Sequence, residues 1–128
     1  MKVLLDTHAL LWWVGQPERL SPAARAVLLD PENAVFVSVA SCWEMAIKQS
    51  LGKLTLSKPI QRLVADEVAA NGFRVLSVEL AHVVRVATLP FAHKDPFDRL
   101  LVAQALVAGL QIVTADEQIR AYAVEVLW

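Results

Sequence analysis

The sequence predicts an α/β fold: a three-layer sandwich whose central, mostly parallel sheet of four to five strands is flanked by helices. Three observations lead there. Short apolar runs rich in strand formers alternate with amphipathic helical stretches, at the spacing that parallel crossovers require. The strand runs are apolar throughout rather than alternating, as expected when helices cover both faces of a sheet. No repeat, low-complexity tract or linker interrupts the 128 residues, so residues 1–128 read as one domain, long enough to build a core.

Each element follows from its local chemistry. The run KVLLD (2–6) is a first strand ending on an aspartate, and THALLWW is a helix with Thr7 as its expected N-cap. SPAARAVLL places Ser21 at an N-cap and Pro22 at the first helical position, where a missing N–H costs nothing. AVFVSV (34–39) is a buried strand, followed by the amphipathic helix SCWEMAIKQSLGKL, which stops near Gly52. KPIQRLVADEVAANG is a helix closed by Asn71-Gly72. FRVLSV (73–78) is a strand, and ELAHVVRVATL a helix stopped by Pro90. DPFDRLLVAQALVAG is a helix ending at Gly109, QIVTAD a strand running into a turn, and VEVLW a last edge strand.

Composition narrows the function classes. Hydrophobic residues make up 56% of the chain and mean hydropathy is +0.47. No apolar run reaches the roughly 18–20 residues of a membrane span, and the first residues lack a cleavage-site pattern. The surplus hydrophobicity therefore points to apolar surface covered by a partner, with a homodimer expected. The adjacent Trp12 and Trp13 point different ways on their helix: either one is core and the other partner surface, or both are core. The lone Cys42 fits a reducing cytoplasm. Net charge is −1, which excludes a global basic field. Between Glu44 and Asp66, however, the only charges are Lys48, Lys53, Lys58 and Arg62. That basic island is either a solvated face or a set of contacts to a phosphate backbone.

In folds of this class ligands bind beyond the carboxyl ends of the strands. Asp6 ends the first strand, Asp116 follows QIVT, Glu44 lies one turn into the helix after AVFVSV, and Asp98 sits in the first turn after the FAHKDP loop. Carboxylates gathered at one rim repel each other and are costly to desolvate. A hard divalent cation, Mg²⁺ or Mn²⁺, offsets that cost and suits phosphoryl chemistry. Each acid also has a structural alternative. Asp95 and Asp98 suit a helix N-terminus, Asp116 suits the cap of a following turn, and Glu44 suits an exposed helix face. Asp6, at the end of an apolar strand, is the hardest to explain without a partner.

Four blocks carry a resemblance: LLDTHALLWW, SVASCWEMAIKQSLGKL, HKDPFDRLLVAQA and IVTAD. In this order and spacing the chain resembles the PIN domain family, and within it the toxin ribonucleases of bacterial type II toxin–antitoxin pairs. The resemblance puts the family's acidic quartet on Asp6, Glu44, Asp98 and Asp116, and its supporting hydroxyl on Thr114. It implies an endoribonuclease dependent on Mg²⁺ or Mn²⁺, inhibited by a small antitoxin protein and often dimeric. Beyond the quartet, Asp95 is either a further ligand or an orienter of Arg99 or Lys94. Ser38 and Ser41 are placed to hydrogen-bond an acid, and His93 is either a leaving-group acid or a neutral loop residue. His8 faces the site or packs beneath it, and His82 reads as structural. Rival readings are a phosphatase using Asp6 as nucleophile, or a non-catalytic domain that binds RNA or a partner. The phosphatase needs a second acid two residues on, where His8 stands. The non-catalytic reading would be favoured by loss of a quartet acid, and all four are present. A receiver domain lacks its acidic pair and late lysine here.

Overall fold

The computed structural model describes Met1–Trp128. Five strands form one sheet, β1 (Lys2–Leu5), β2 (Ala34–Ser38), β3 (Arg74–Leu76), β4 (Gln111–Val113) and β5 (Val126–Leu127), in the order β3-β2-β1-β4-β5. Every neighbouring pair is parallel, including the edge strand β5. Six α-helices connect and cover them: α1 (Thr7–Gly15), α2 (Pro22–Leu29), α3 (Val39–Ser50), α4 (Ile60–Asn71), α5 (Leu80–Val86) and α6 (Pro96–Ala108). The strands are shorter than the apolar runs that predict them, and α5 stops at Val86 rather than reaching Leu89.

Strand side chains alternate between two cores. Val3, Leu5, Val35, Val37 and Val113 face one way and pack with Ala9, Leu10, Ala24 and Leu28 of α1 and α2. Leu4 and Ile112 face the other way, against Leu101, Val102 and Ala105 of α6. Both strand faces are thus buried, which explains the absence of polar alternation in the sequence. Leu4, Leu101 and Ile112 are fully enclosed, and truncating any of them to Ala would cost about 2–5 kcal/mol.

Helix ends follow chain chemistry. Ser21 accepts a hydrogen bond from the Ala24 N–H at the start of α2, with Pro22 in the first turn. Gly109, at φ +69°, closes α6 in a left-handed conformation that only glycine adopts without strain. At α1 the expectation fails by one residue: Asp6, not Thr7, is the N-cap, accepting from the Ala9 N–H at 2.7 Å. Thr7 is thereby released for a tertiary contact.

The strand order places the site. From β1 the chain moves outward to β2 and β3, then returns across β1 to β4 on its other side. The reversal lies between β1 and β4, where the loops after the two strands diverge and leave a crevice at their carboxyl ends.

Candidate active site

Asp6 and Asp116 flank that crevice. Thr114 donates its hydroxyl hydrogen to Asp6 Oδ2, and its Oγ1 accepts the Asp116 N–H at 3.0 Å. One fully buried hydroxyl therefore ties the Asp6 carboxylate to the backbone of Asp116. Asp116 Oδ1 accepts from the Gln118 N–H at 2.9 Å, so this acid also shapes its own turn. Asp6, His8, Trp12, Ala115 and Asp116 line a shallow cavity of about 320 Å³. A cavity of about 370 Å³ opens by Lys2, Gly109 and Gln111, near the strands' opposite end, and holds a single acid, Glu125. Size alone does not distinguish the two; the acids do.

Asp98, in the first turn of α6, projects toward the same rim. Burial, then the neighbouring charge of Asp95, push its carboxyl up to about 6. A hydrogen bond from His93 pulls it down, and Asp116 and Asp6 push it up further. Asp6 is likewise raised, chiefly by burial, against the lowering effect of its bonds from Thr114 and the Ala9 N–H. Three acids from three parts of the chain thus feel one another's charge.

Glu44 reaches the same end but is already partnered. Its Oε1 accepts from the Thr7 hydroxyl at 2.6 Å, and its Oε2 pairs with Lys48 Nζ at 2.8 Å. It is 5% exposed, so that pairing keeps a buried charge compensated. Thr7 is a site residue that its reading as a helix cap concealed.

Several expected supports take other posts. Asp95 caps α6, accepting from the Phe97 and Asp98 N–H groups at 2.9 and 3.0 Å, and it orients neither Arg99 nor Lys94. Ser38 donates to Gln104 Oε1 at 2.5 Å and caps the start of α3, so it bolts α3 to α6 and touches no acid. The Ser41 hydroxyl is buried without a partner. Of the basic island, Lys58 and Arg62 both pair with Asp66, at 2.5 and 3.3 Å, and Lys48 serves Glu44. Lys53 alone makes no ion pair and stands exposed.

His93 and Tyr122 complete the surroundings of Asp98. His93 Nε2 lies 3.2 Å from Asp98 Oδ2, and its Nδ1 lies 2.8 Å from the Tyr122 hydroxyl. Tyr122 also accepts from Arg99 Nη1 at 3.0 Å. His8 is exposed, 6.0 Å ring to ring from Trp12, and His82 is buried, accepting the Glu79 N–H at 2.9 Å on its Nδ1. The two tryptophans do diverge: Trp12 packs on Trp128, whereas Trp13 packs on Phe73 and donates to Glu67.

The donors at the rim are carboxylate oxygens, the ligand type that hard divalent cations take. The carboxyl of Asp98 is raised first by burial and then by the neighbouring charges of Asp95, Asp116 and Asp6. No three His, Cys, Asp or Glu side chains stand close enough together to grip an ion at once. Mg²⁺ asks for less, one or two carboxylates with water and phosphate oxygens filling the rest. The donor chemistry suits such an ion, which one or two of Asp6, Asp98 and Asp116 would hold, with water and phosphate oxygens completing its shell.

A parallel α/β sandwich with acids at its topological switch point places carboxylate oxygens where folds of this class bind their ligands. The model of the PIN domain matches residues 3–125, and the chain belongs to the PIN domain family. Over 121 residues it is 29% identical to ribonuclease VapC22 of Mycobacterium tuberculosis, covering 94% of this chain and 91% of that protein. Ribonuclease VapC16 of the same organism is 41% identical over 58 residues, covering 45% and 41%. Among solved structures, VapBC2 from Rickettsia felis, bound to a DNA fragment from its promoter, aligns with a TM-score of 0.74. That alignment is 13% identical and covers 100% of this chain and 99% of the other. DNA-bound VapBC from Salmonella typhimurium gives 0.68 at 15% identity, over 99% and 97%. At these identities the structural likeness speaks for the fold.

Proposed function

We propose that this protein is an endoribonuclease that hydrolyses RNA phosphodiesters with the help of Mg²⁺ or Mn²⁺, the toxin of a type II toxin–antitoxin pair. The observation that carries the reading is the gathering of Asp6, Asp98 and Asp116 at the switch point, in a chain whose relatives are named ribonucleases. The whole chain acts as one domain in this reading. A cation held by Asp6, Asp98 or Asp116 would supply charge neutralisation on the phosphate and activation of a water.

The protein's own groups do the rest. Asp6 keeps one lone pair free on each oxygen after accepting from Thr114 and Ala9. Thr114 sets the distance between Asp6 and Asp116. Glu44, held by Thr7 and Lys48, stands behind the rim as a buried, compensated carboxylate. Lys53 is the strongest candidate for a backbone phosphate contact, and Lys48, Lys58 and Arg62 contribute through what their carboxylate partners leave uncompensated. Single-stranded or loop RNA is the expected substrate, since its backbone bends freely into a shallow site.

The same reading includes a small antitoxin covering the acidic rim, and a homodimer. Exposed apolar side chains support association: Trp43 is 58% exposed, Leu80 78% and Phe91 86%. No helix is long and apolar enough to cross a membrane, and the unpaired Cys42 suits a cytoplasmic setting.

The test is purified protein, freed of any antitoxin, on a structured RNA pool with Mn²⁺ or with EDTA. We expect metal-dependent cuts leaving 5′-phosphate and 3′-hydroxyl ends. Cuts that persist in EDTA or leave 2′,3′-cyclic phosphates would refute the mechanism.

A further inference from the structure

The loop before α6 holds a directed chain of hydrogen bonds that no quartet accounts for. It starts at Arg99, 6% exposed, which has no carboxylate partner. Its guanidinium donates to the carbonyls of Pro90 at 2.8 Å and Val86 at 3.5 Å, and to Tyr122 Oη at 3.0 Å. The Phe91 ring lies 4.5 Å from it and the Tyr122 ring 5.9 Å. Arginine has no acceptor and stays charged, so the direction of the Arg99–Tyr122 bond is settled: the phenol oxygen accepts.

The phenol hydrogen must then point elsewhere. Two acceptors are in reach, His93 Nδ1 at 2.8 Å and the His93 carbonyl at 3.5 Å. The phenol oxygen already accepts from Arg99 and from the His93 backbone N–H at 3.4 Å, which leaves its hydrogen to pair with Nδ1 at 2.8 Å. His93 Nδ1 therefore accepts, and in the neutral ring the remaining proton sits on Nε2. That N–H faces Asp98 Oδ2 at 3.2 Å, from a side chain only 6% exposed. The order is Arg99 to Tyr122 to His93 to Asp98, every link pointing the same way.

We propose that His93 is a positioning residue for Asp98, its Nε2–H tautomer locked by Tyr122 and Arg99 so that one carboxylate oxygen is held and the other faces the cation site. The inference rests on the reading of Asp98 as a metal ligand. Metal-site carboxylates are commonly oriented by a hydrogen-bonded outer partner, and losing such a partner typically costs about 10- to 100-fold in metal affinity. Here the partner spans two segments. Tyr122 comes from the turn after β4, so Asp98 on α6 is registered against the strand end that carries Asp116.

The experiment measures Mn²⁺ binding by calorimetry, without RNA, on the full chain and four variants. His93→Ala should weaken binding about 10-fold or more. His93→Gln, whose amide can accept from Tyr122 and donate to Asp98, should restore most of it. Tyr122→Phe should weaken binding by a few-fold and, in ¹⁵N spectra of the histidine rings, release the tautomer lock. In the unaltered protein those spectra should show a His93 proton on Nε2 alone. A proton on Nδ1, a doubly protonated ring at neutral pH, unchanged affinity in His93→Ala, or a Gln variant no better than Ala would each overturn the proposal. Asp98→Asn separates the two claims. If it abolishes binding while His93→Ala does not, only the positioning role fails. If it binds Mn²⁺ normally, the ligand role of Asp98 fails, and the positioning role with it. The spectra need no variant to fold, so the lock is tested in every case.

Discussion

Replacing Asp98 with Asn should make the metal-free protein more stable, and the structure sets the size of the gain. Burial and the charges of Asp95, Asp116 and Asp6 lift the folded-state carboxyl from 3.8 to about 6. At neutral pH both folded and unfolded chains carry this group ionised, so folding works against the full difference. About two pKa units correspond to about 3 kcal/mol. A fifth of the side chain still meets solvent, which screens part of the repulsion and brings the expected gain to about 2 kcal/mol. For a domain of this size that is a rise on the order of 8 °C in Tm. The sign with pH follows from proton binding. Below about pH 4 both states hold the proton and the group contributes nothing. Between about pH 4 and 6 the folded state binds more protons than the unfolded one, so stability falls as pH rises, and the cost is complete above that window. The Asn side chain can still meet His93 and carries no charge, so it lacks this slope. Thermal melts in EDTA at about pH 4 and about pH 7.5 measure the effect, with the two proteins converging at the acidic end. Added Mn²⁺ should raise the Tm of the unaltered protein and raise the variant's less. A variant no more stable than its parent at neutral pH would refute the argument from burial and neighbouring charge. An equal gain at both pH values would show that its source is not this charge.

Asp6→Asn should abolish RNA cleavage while circular dichroism stays unchanged, because amide and carboxylate fill the same space; full cleavage by the variant would put the site elsewhere. Thr7→Val should leave Glu44 Oε1 buried without its donor, a loss of about 1–3 kcal/mol readable by urea denaturation. Lys53→Ala should weaken RNA binding and reduce the slope of log affinity against log salt by about 1. Lys58→Ala should change that slope less, since Lys58 is already paired with Asp66; fluorescence anisotropy over a salt series compares the two. Light scattering at high micromolar concentration should find a homodimer, and a monodisperse monomer would remove that claim.

The sequence alone determined what depends on local pattern and on strand ends. The alternation of apolar runs with amphipathic stretches carries the α/β architecture, because short-range periodicity decides which residues can face a sheet. Asp6, Asp98 and Asp116 were legible as a group because a position at a strand end or a helix's first turn already fixes where a side chain emerges. The Arg62–Asp66 pair was also legible, at helical spacing, and the view of Arg62 as a free phosphate contact passed over it. The tertiary structure decided the partners, because those bonds join residues far apart in the chain. Thr7 meets Glu44 across 37 residues, Ser38 meets Gln104 across 66, and Thr114 meets Asp6 across 108. Tyr122 shows the same limit. Only the turn after β4 brings its phenol 2.8 Å from His93 Nδ1. A hydroxyl or imidazole can serve any neighbour within about 3 Å, and no spacing in sequence says which neighbour a closed sheet will deliver.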